Sequence, residues 1–271
     1  MTDQERLSAL VDVWWRAVDD FTHLLEELPP HAWSAPTDLP GWDVHAVAAH
    51  TAHLEAILAG QPEETLELDA PAHATTLMQL YTEQGVAARR DRSPDELINE
   101  IRASAAARRT ALLAEPPTDP AAKPERIFAG VPWSWETLLR NRPLDVWMHE
   151  QDVRRAVGRP GNLDSPAAQH TTDYLLESMG MVLAKRAAAP PGTTVVVEVQ
   201  GSAPAAFEVG ADGRGRPLAE PPTEPTVRLV TDRETFVLAA GGRRTPAPGA
   251  VQLSGDEELG RRVVAGMAVT P

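Results

Sequence analysis

The chain changes character near residues 189–192, and this change limits the folds that it can adopt. Before that point it is rich in alanine, leucine and charged residues, and its apolar residues recur at the spacing of a helix face. After it, the stretch TTVVVEVQ (193–200) consists largely of β-branched residues, which favour strands. We therefore predict two domains: an all-helical domain over residues 1–189 and a small α+β domain over residues 192–271.

Capping residues and helix breakers predict where the individual elements begin and end. Ser93 and Glu96, for example, have the spacing of a capping box. In the first domain we expect helices over residues 3–28, about 43–59, 72–90, 93–114, 134–157 and 165–187. In the second domain we expect further strands within 205–210, 226–230 and 249–255, and helices within 232–242 and 256–267.

Composition excludes several classes of partner. The 271-residue chain carries a net charge of −14, so it repels phosphate groups, and neither nucleic acid nor a membrane is an expected partner. The start, MTDQERLSALVDVWW, lacks the pattern of a signal peptide, and we expect a cytoplasmic location. The sequence contains no cysteine, which excludes disulfides, a cysteine nucleophile and thiolate ligands. Any thiol chemistry would need a thiol from outside the chain.

Three of the eight histidines lie on the helix predicted to start near residue 43. His50 falls on the apolar stripe of that helix and should point into the core, whereas His45 and His53 lie on rows of alanines towards its sides. A hydrogen-bonded core histidine is the simpler interpretation of His50, and a metal ligand is the alternative. We place four other histidines on the surface: His23, His31, His73 and His170.

The eighth histidine, His149, lies on the apolar stripe of the helix predicted at 134–157, and Asp145 stands one turn before it on the same side. A buried carboxylate needs a cation or hydrogen-bond donors. A metal ion held by His50, Asp145 and His149 would satisfy it, and helical bundles build metal sites from facing helices in this way. The alternative is that Asp145 pairs with Arg142 on a solvated face.

Other residues of the same segment have simpler interpretations. Pro143 should either bend the helix just before Asp145 or mark the start of a new helix. Of the seven tryptophans, we assign most to the core and leave Trp133 and Trp135 open between core and pocket. We expect a solvated helix face formed by Glu150, Asp152, Arg154 and Arg155.

Two histidines and one carboxylate would leave a coordination position open on the metal ion. Nitrogen and oxygen ligands suit zinc, which we expect first, and also nickel or iron. Such an ion lowers the pKa of bound water, or it holds an external thiol as the thiolate. Either way it generates a nucleophile that the chain itself lacks.

The segments DLPGWDVHAVAAH (38–50) and LDVWMHEQDVRRAVG (144–158) resemble the mycothiol-dependent maleylpyruvate isomerase family, within the DinB-like metalloenzyme superfamily. The resemblance covers nearly the whole chain. It implies an α+β multidomain protein, with a DinB-like four-helix bundle followed by a sterol-carrier-like α+β domain. In that family a histidine, a glutamate and a second histidine hold zinc, and His50, Asp145 and His149 match them. Asp145 replaces the family's glutamate, and its carboxylate lies one methylene closer to the backbone.

The resemblance also implies an activity and a cofactor. Mycothiol would be the external thiol, and Arg243 would match an arginine of the family's second domain that lies near the active site, where it could hold a substrate carboxylate. A surface arginine following a helix is an equally good interpretation of Arg243. We favour a metal- and mycothiol-dependent isomerase or thiol S-transferase acting on a small molecule. A metal-dependent hydrolase and a non-catalytic small-molecule-binding protein are the alternatives.

Overall fold

The computed structural model describes residues 1–69 and 71–270. The chain divides into two compact units, Met1–Gly161 and Asn162–Pro271. The first is helical and the second contains a small mixed sheet, which confirms the predicted fold class. Within the described residues, none of the helices combines the length and the apolar character that a membrane-spanning segment requires.

The first unit is built on a four-helix bundle. The bounds of the five helices of this unit are α1 Asp3–Glu26, α2 Val44–Leu58, α3 Leu77–Ala88, α4 Pro94–Ala114 and α5 Trp135–Ala156. Helix α1 packs against α4 and α5, α2 packs against the same two helices, and α3 lies along α2. A short 3₁₀ turn, Pro30–Ser34, lies between α1 and α2.

The helix starts follow the capping chemistry of the sequence. Asp43 caps α2 through its side chain, and Ser93 and Glu96 form the expected capping box at the start of α4. At α1 the cap is Thr2, which forms a capping box with Glu5. Local hydrogen bonding at these positions thus sets where each helix begins.

Helix α5 continues through Pro143, so no new helix starts there. Proline lacks the backbone N–H that would bond to the carbonyl of Leu139, and its ring crowds that carbonyl. Buried apolar side chains lie on both sides of the proline, among them Leu138, Leu139, Val146 and Trp147. Packing against the rest of the bundle therefore outweighs the local loss and keeps Asp145 and His149 on one helix.

Helix α2 is enclosed by its neighbours, since every residue of it except His45 is buried. His53, which we expected towards the side of α2, is fully buried there. Nδ1 of His53 lies 2.6 Å from Oε2 of Glu64, and Nη1 of Arg89 lies 2.8 Å from the other oxygen of that carboxylate. Gly85 of α3 packs on the ring, where a Cβ atom would lie 2.2 Å from Cγ of His53.

The second unit begins with helices and continues into a five-stranded sheet. The bounds of its elements are α6 Pro166–Leu176, α7 Met179–Met181, β1 Thr194–Val199, β2 Ala205–Val209, β3 Gly215–Pro217, β4 Val227–Thr231, α8 Arg233–Ala240, β5 Gln252–Gly255 and α9 Glu257–Ala265. A π-helical turn, Val182–Arg186, follows α7. The strand order is β3-β2-β1-β4-β5. Strands β1 and β4 are parallel, with Val197 opposite Leu229, and the other neighbours are antiparallel.

The two units divide earlier than the expected boundary at 189–192. That boundary marks the change from helix to strand, but α6 already packs with α8 of the second unit. Arg233 of α8 donates through Nη2 to Oε1 of Gln169 at 2.6 Å, and through Nη1 to the backbone carbonyl of Leu163. These contacts assign α6 to the unit that contains the sheet, and α7 belongs to the same unit because it packs against β2 and β3.

Candidate metal centre

The structure brings together the three residues that the sequence nominated as metal ligands. His50 on α2 and Asp145 and His149 on α5 each offer one ligand atom, and these atoms all lie within 4.8 Å of one another. Nε2 of His50 is 3.9 Å from Oδ2 of Asp145, and Nε2 of His149 is 3.6 Å from Oδ1. Both histidines are buried, whereas the Asp145 side chain is 22% exposed. Facing helices thus form a compact cluster of nitrogen and oxygen atoms.

Asp145 also pairs with Arg142, as the alternative interpretation expected. Nη1 of Arg142 donates to Oδ2 of Asp145 at 2.9 Å. The pair does not lie on a solvated face, however, because Arg142 is completely buried and also bonds to Glu55 of α2. One oxygen of Asp145 is therefore held by an arginine inside the bundle.

His149 is oriented by a second carboxylate on its own helix. Its Nδ1 lies 3.3 Å from Oδ2 of Asp152, and the other oxygen of Asp152 accepts a hydrogen bond of 2.6 Å from Nη2 of Arg155. Arg155 in turn donates to Asp38 at 2.8 Å. A carboxylate on the far nitrogen of a histidine fixes the orientation of the ring and is the usual support of a histidine metal ligand.

The prediction that Glu150 and Asp152 lie on a solvated face of α5 was wrong. Glu150 and Asp152 are both completely buried. Glu150 accepts a hydrogen bond of 2.6 Å from Arg154 one turn later, and Asp152 pairs with Arg155. Ion pairs with arginines on the next turn of α5 allow these two carboxylates to be buried. A pattern based on hydrophobicity alone places such carboxylates on the surface.

Trp42 covers one side of the histidine pair, and sequence reasoning missed it. Its ring centroid lies 5.0 Å from that of His50 and 6.2 Å from that of His149. Its Nε1 donates to Oε1 of Glu83 at 2.5 Å, and Nε2 of His73, which we placed on the surface, lies 2.8 Å from the same oxygen. The position of Trp42, one residue before the cap of α2, is the signal that could have identified it.

The charges in the cluster differ between its members. Burial would raise the pKa of Asp145, but the Arg142 guanidinium and His149 hold it well below its usual range. Burial lowers the pKa of His50 to about 4, so this ring is neutral at pH 7. For His149 burial acts in the same direction, but the Asp145 carboxylate outweighs it and raises the pKa.

The donor set fits a divalent metal ion. A neutral imidazole with an accessible lone pair and an ionised carboxylate are the forms in which histidine and aspartate bind metals. The distance of 3.9 Å between His50 and Asp145 is too long for a hydrogen bond, and Nδ1 of His50 is buried without a partner. Within the described residues, Nδ1 of His50 therefore has no hydrogen-bond partner, as a hydrogen-bonded core histidine would require, and Nε2 faces the Asp145 carboxylate.

Arg243 lies in the second unit, just after α8. It is partly buried, and its Nη1 donates to the backbone carbonyl of Gly241 at 2.8 Å. This contact holds the guanidinium near the end of α8. Its expected role in binding a substrate carboxylate stays a prediction.

The fold and the site together define a two-unit protein whose helical part carries a cluster of potential metal ligands. The model of the mycothiol maleylpyruvate isomerase N-terminal domain matches residues 14–154, and that of the MDMPI C-terminal domain matches residues 169–262. The chain therefore belongs to the mycothiol maleylpyruvate isomerase family.

Solved structures agree with this assignment at the level of the fold. The crystal structure of the mycothiol-dependent maleylpyruvate isomerase is 17% identical, with a TM-score of 0.56 over 94% of this chain and 95% of that chain. A histidine-to-alanine mutant of that isomerase has the same identity and coverage, with a TM-score of 0.58. No curated protein sequence matches the chain.

Proposed function

We propose that this chain is a metal-dependent enzyme that uses mycothiol as its thiol and acts as an isomerase or a thiol S-transferase on a small molecule. The observation that carries the proposal is the convergence of His50, Asp145 and His149 in a member of a family named for a mycothiol-dependent isomerase. The absence of cysteine supports it, because the nucleophilic thiol must then come from outside the chain.

In this proposal the three residues hold one divalent ion, with zinc first and nickel or iron as alternatives. The ion would hold an external thiol as the thiolate, a nucleophile that can add to a conjugated double bond and leave again or stay attached. Asp145 supplies the negative charge among the ligands, and Asp152 orients His149. Trp42 shields the two histidine rings on one side.

Metal content tests the proposal directly. Protein purified without chelators should contain about one divalent ion per chain by elemental analysis, as expected for a single site with these three ligands. The His50→Ala and His149→Ala variants should lose the ion. His53→Ala is the matched control, because His53 is a buried histidine on the same helix as His50 and pairs with Glu64 instead. The proposal would be wrong if the wild-type protein contained no metal and the ligand substitutions left its metal content unchanged.

Thiol dependence distinguishes the possible reactions. We would assay isomerisation of maleylpyruvate and conjugation of small electrophiles, each with and without mycothiol. Turnover that needs mycothiol supports the proposal, and the product shows whether the thiol leaves or stays. Hydrolysis of a substrate without any thiol would favour the metal-dependent hydrolase, and a metal-free protein without turnover would favour a binding protein.

Arg243 is proposed to bind a carboxylate of the substrate, since a guanidinium can donate two parallel hydrogen bonds to that group. Arg243→Lys keeps the charge but loses this geometry. We expect it to raise KM while the metal content stays at the wild-type level. An unchanged KM for a carboxylate-bearing substrate would argue against the role.

A further inference from the structure

Arg142 joins one of the proposed ligands to the core of the bundle. Its guanidinium donates to Oδ2 of Asp145 at 2.9 Å through Nη1. On its other side, Nη2 and Nε donate to Oε1 of Glu55 at 2.8 and 3.1 Å. Arg142 and Glu55 are both 0% exposed. A single buried cation therefore connects two carboxylates that lie on different helices, α2 and α5.

Glu55 is held from three other helices. Besides Arg142 of α5, it accepts hydrogen bonds from Nε1 of Trp14 on α1 at 3.0 Å and from Nη1 of Arg108 on α4 at 3.3 Å. The guanidinium of Arg108 also lies 4.5 Å above the ring of Trp14. All four helices of the bundle thus meet at the Glu55 carboxylate. Arg142 is therefore bonded to a group that hydrogen bonds from other helices hold in place.

Arg142 stays charged in this environment. Burial alone would lower its pKa, but the carboxylates of Glu55 and Asp145 raise it. Guanidinium groups are planar forks that can serve two carboxylates at once, which the single ammonium of lysine does less well. Glu55 is shared with Arg108, so two buried guanidinium groups face this one carboxylate. Asp145 supplies the second negative charge, and the bond to Arg142 ties its Oδ2 to this buried cluster.

We propose that Arg142, supported by Glu55, is a positioning residue that makes Asp145 a one-oxygen ligand. It holds Oδ2, while Oδ1 faces Nε2 of His149 at 3.6 Å and is left for the ion. The inference rests on the metal site of the proposed function and names a residue for which that proposal has no role. Residues that orient a metal ligand contribute roughly 10–100-fold to metal affinity.

The test compares two buried arginines that share Glu55. Arg142→Gln removes the cation that contacts both Glu55 and Asp145. Arg108→Gln is the matched control, because Arg108 is also buried and bonded to Glu55 but does not contact Asp145. For each full-length variant we would measure the Co²⁺ dissociation constant by competition with a chelator and record the visible absorption spectrum of the Co²⁺ form.

We expect Arg142→Gln to bind Co²⁺ roughly 10–100-fold more weakly, with an altered spectrum, because the released carboxylate can turn or bind through both oxygens. Arg108→Gln should keep the wild-type affinity and spectrum even if it melts at a lower temperature. Arg142→Lys should recover only part of the loss.

Wild-type affinity and spectrum in Arg142→Gln would overturn the inference and leave the proposed function intact. If that variant does not fold, wild-type behaviour of Arg142→Lys would overturn it equally. Wild-type protein that binds no Co²⁺ would overturn both the inference and the proposed metal site.

Discussion

His149 and Asp152 lie one turn apart on α5, and Nδ1 of His149 is 3.3 Å from Oδ2 of the fully buried Asp152. The carboxylate therefore fixes which nitrogen of the ring faces Asp145. We expect Asp152→Asn, which keeps the shape but removes the charge, to weaken metal binding roughly 10–100-fold. Chelator competition measures this.

Glu150→Gln is the control for this substitution, because Glu150 is an equally buried carboxylate of α5 that pairs with Arg154. It should destabilise the protein without a matching loss of metal affinity. Equal losses in the two variants would show that Asp152 acts through general stability alone.

Asp145 should respond differently to changes of charge and of length. Asp145→Asn should abolish stable metal binding, because it removes the anionic ligand. It also leaves Arg142 with an uncharged partner at this position. Asp145→Glu should keep one ion per chain but change the Co²⁺ spectrum, because the longer side chain moves the carboxylate away from Arg142. Retention of full affinity by Asp145→Asn would contradict a ligand role for this residue.

The stability of the metal-free protein should fall as the pH decreases from 6.5 to about 4. Burial lowers the pKa of His50 to about 4 and also lowers that of His53, whereas both titrate near 6.5 in the unfolded chain. The unfolded chain therefore binds more protons in this window, so acid favours unfolding. His50 alone should contribute about 3 kcal/mol between pH 7 and pH 4.

Urea denaturation of chelator-treated protein across this pH range measures the effect, with His50→Gln for comparison. The variant should show a flatter dependence of the free energy of unfolding on pH. Asp145, whose pKa is lowered, adds to this loss only near the acid end of the range. His149, whose pKa is raised, acts in the opposite direction, but its contribution is present below pH 6.5 and is lost as the pH rises above that value. If the free energy of unfolding of His50→Gln depended on pH as in the wild-type protein, His50 would not be the cause of the acid destabilisation.

Gly85 should tolerate no side chain while His53 is present. Gly85→Ala would place a Cβ atom 2.2 Å from Cγ of His53, and such overpacking typically costs about 1–3 kcal/mol. The double variant with His53→Ala should recover part of that loss, and thermal unfolding of the four proteins measures the coupling. Strictly additive effects would show that the two residues do not press on each other.

Sequence patterns predicted the parts of the fold that depend on local chemistry. The capping box predicted at Ser93 forms, and the helix predicted to start near residue 43 begins at Val44, after the cap Asp43. The three proposed ligands also came from patterns, because His50, Asp145 and His149 stand on the apolar stripes of two helices that had to face a common core.

Burial of charged residues could not be predicted in the same way. Asp152 is buried with Arg155 of its own helix as its ion-pair partner, and His53 is buried against Glu64, which lies beyond the end of α2. Arg142 is the clearest case, because its bond to Glu55 spans 87 residues and involves a different helix. Hydrophobic periodicity describes single helices and carries no information about such pairs.

The enclosure of α2 has a consequence for how an ion would be exchanged. His50 lies on a helix that is covered along its whole length, so fraying of that helix does not release it. Of the three proposed ligands, Asp145 has the most exposed side chain. We therefore expect the ion to enter and leave past Asp145. Its residence time would then depend on the hold of Arg142 on that carboxylate and not on opening of the bundle.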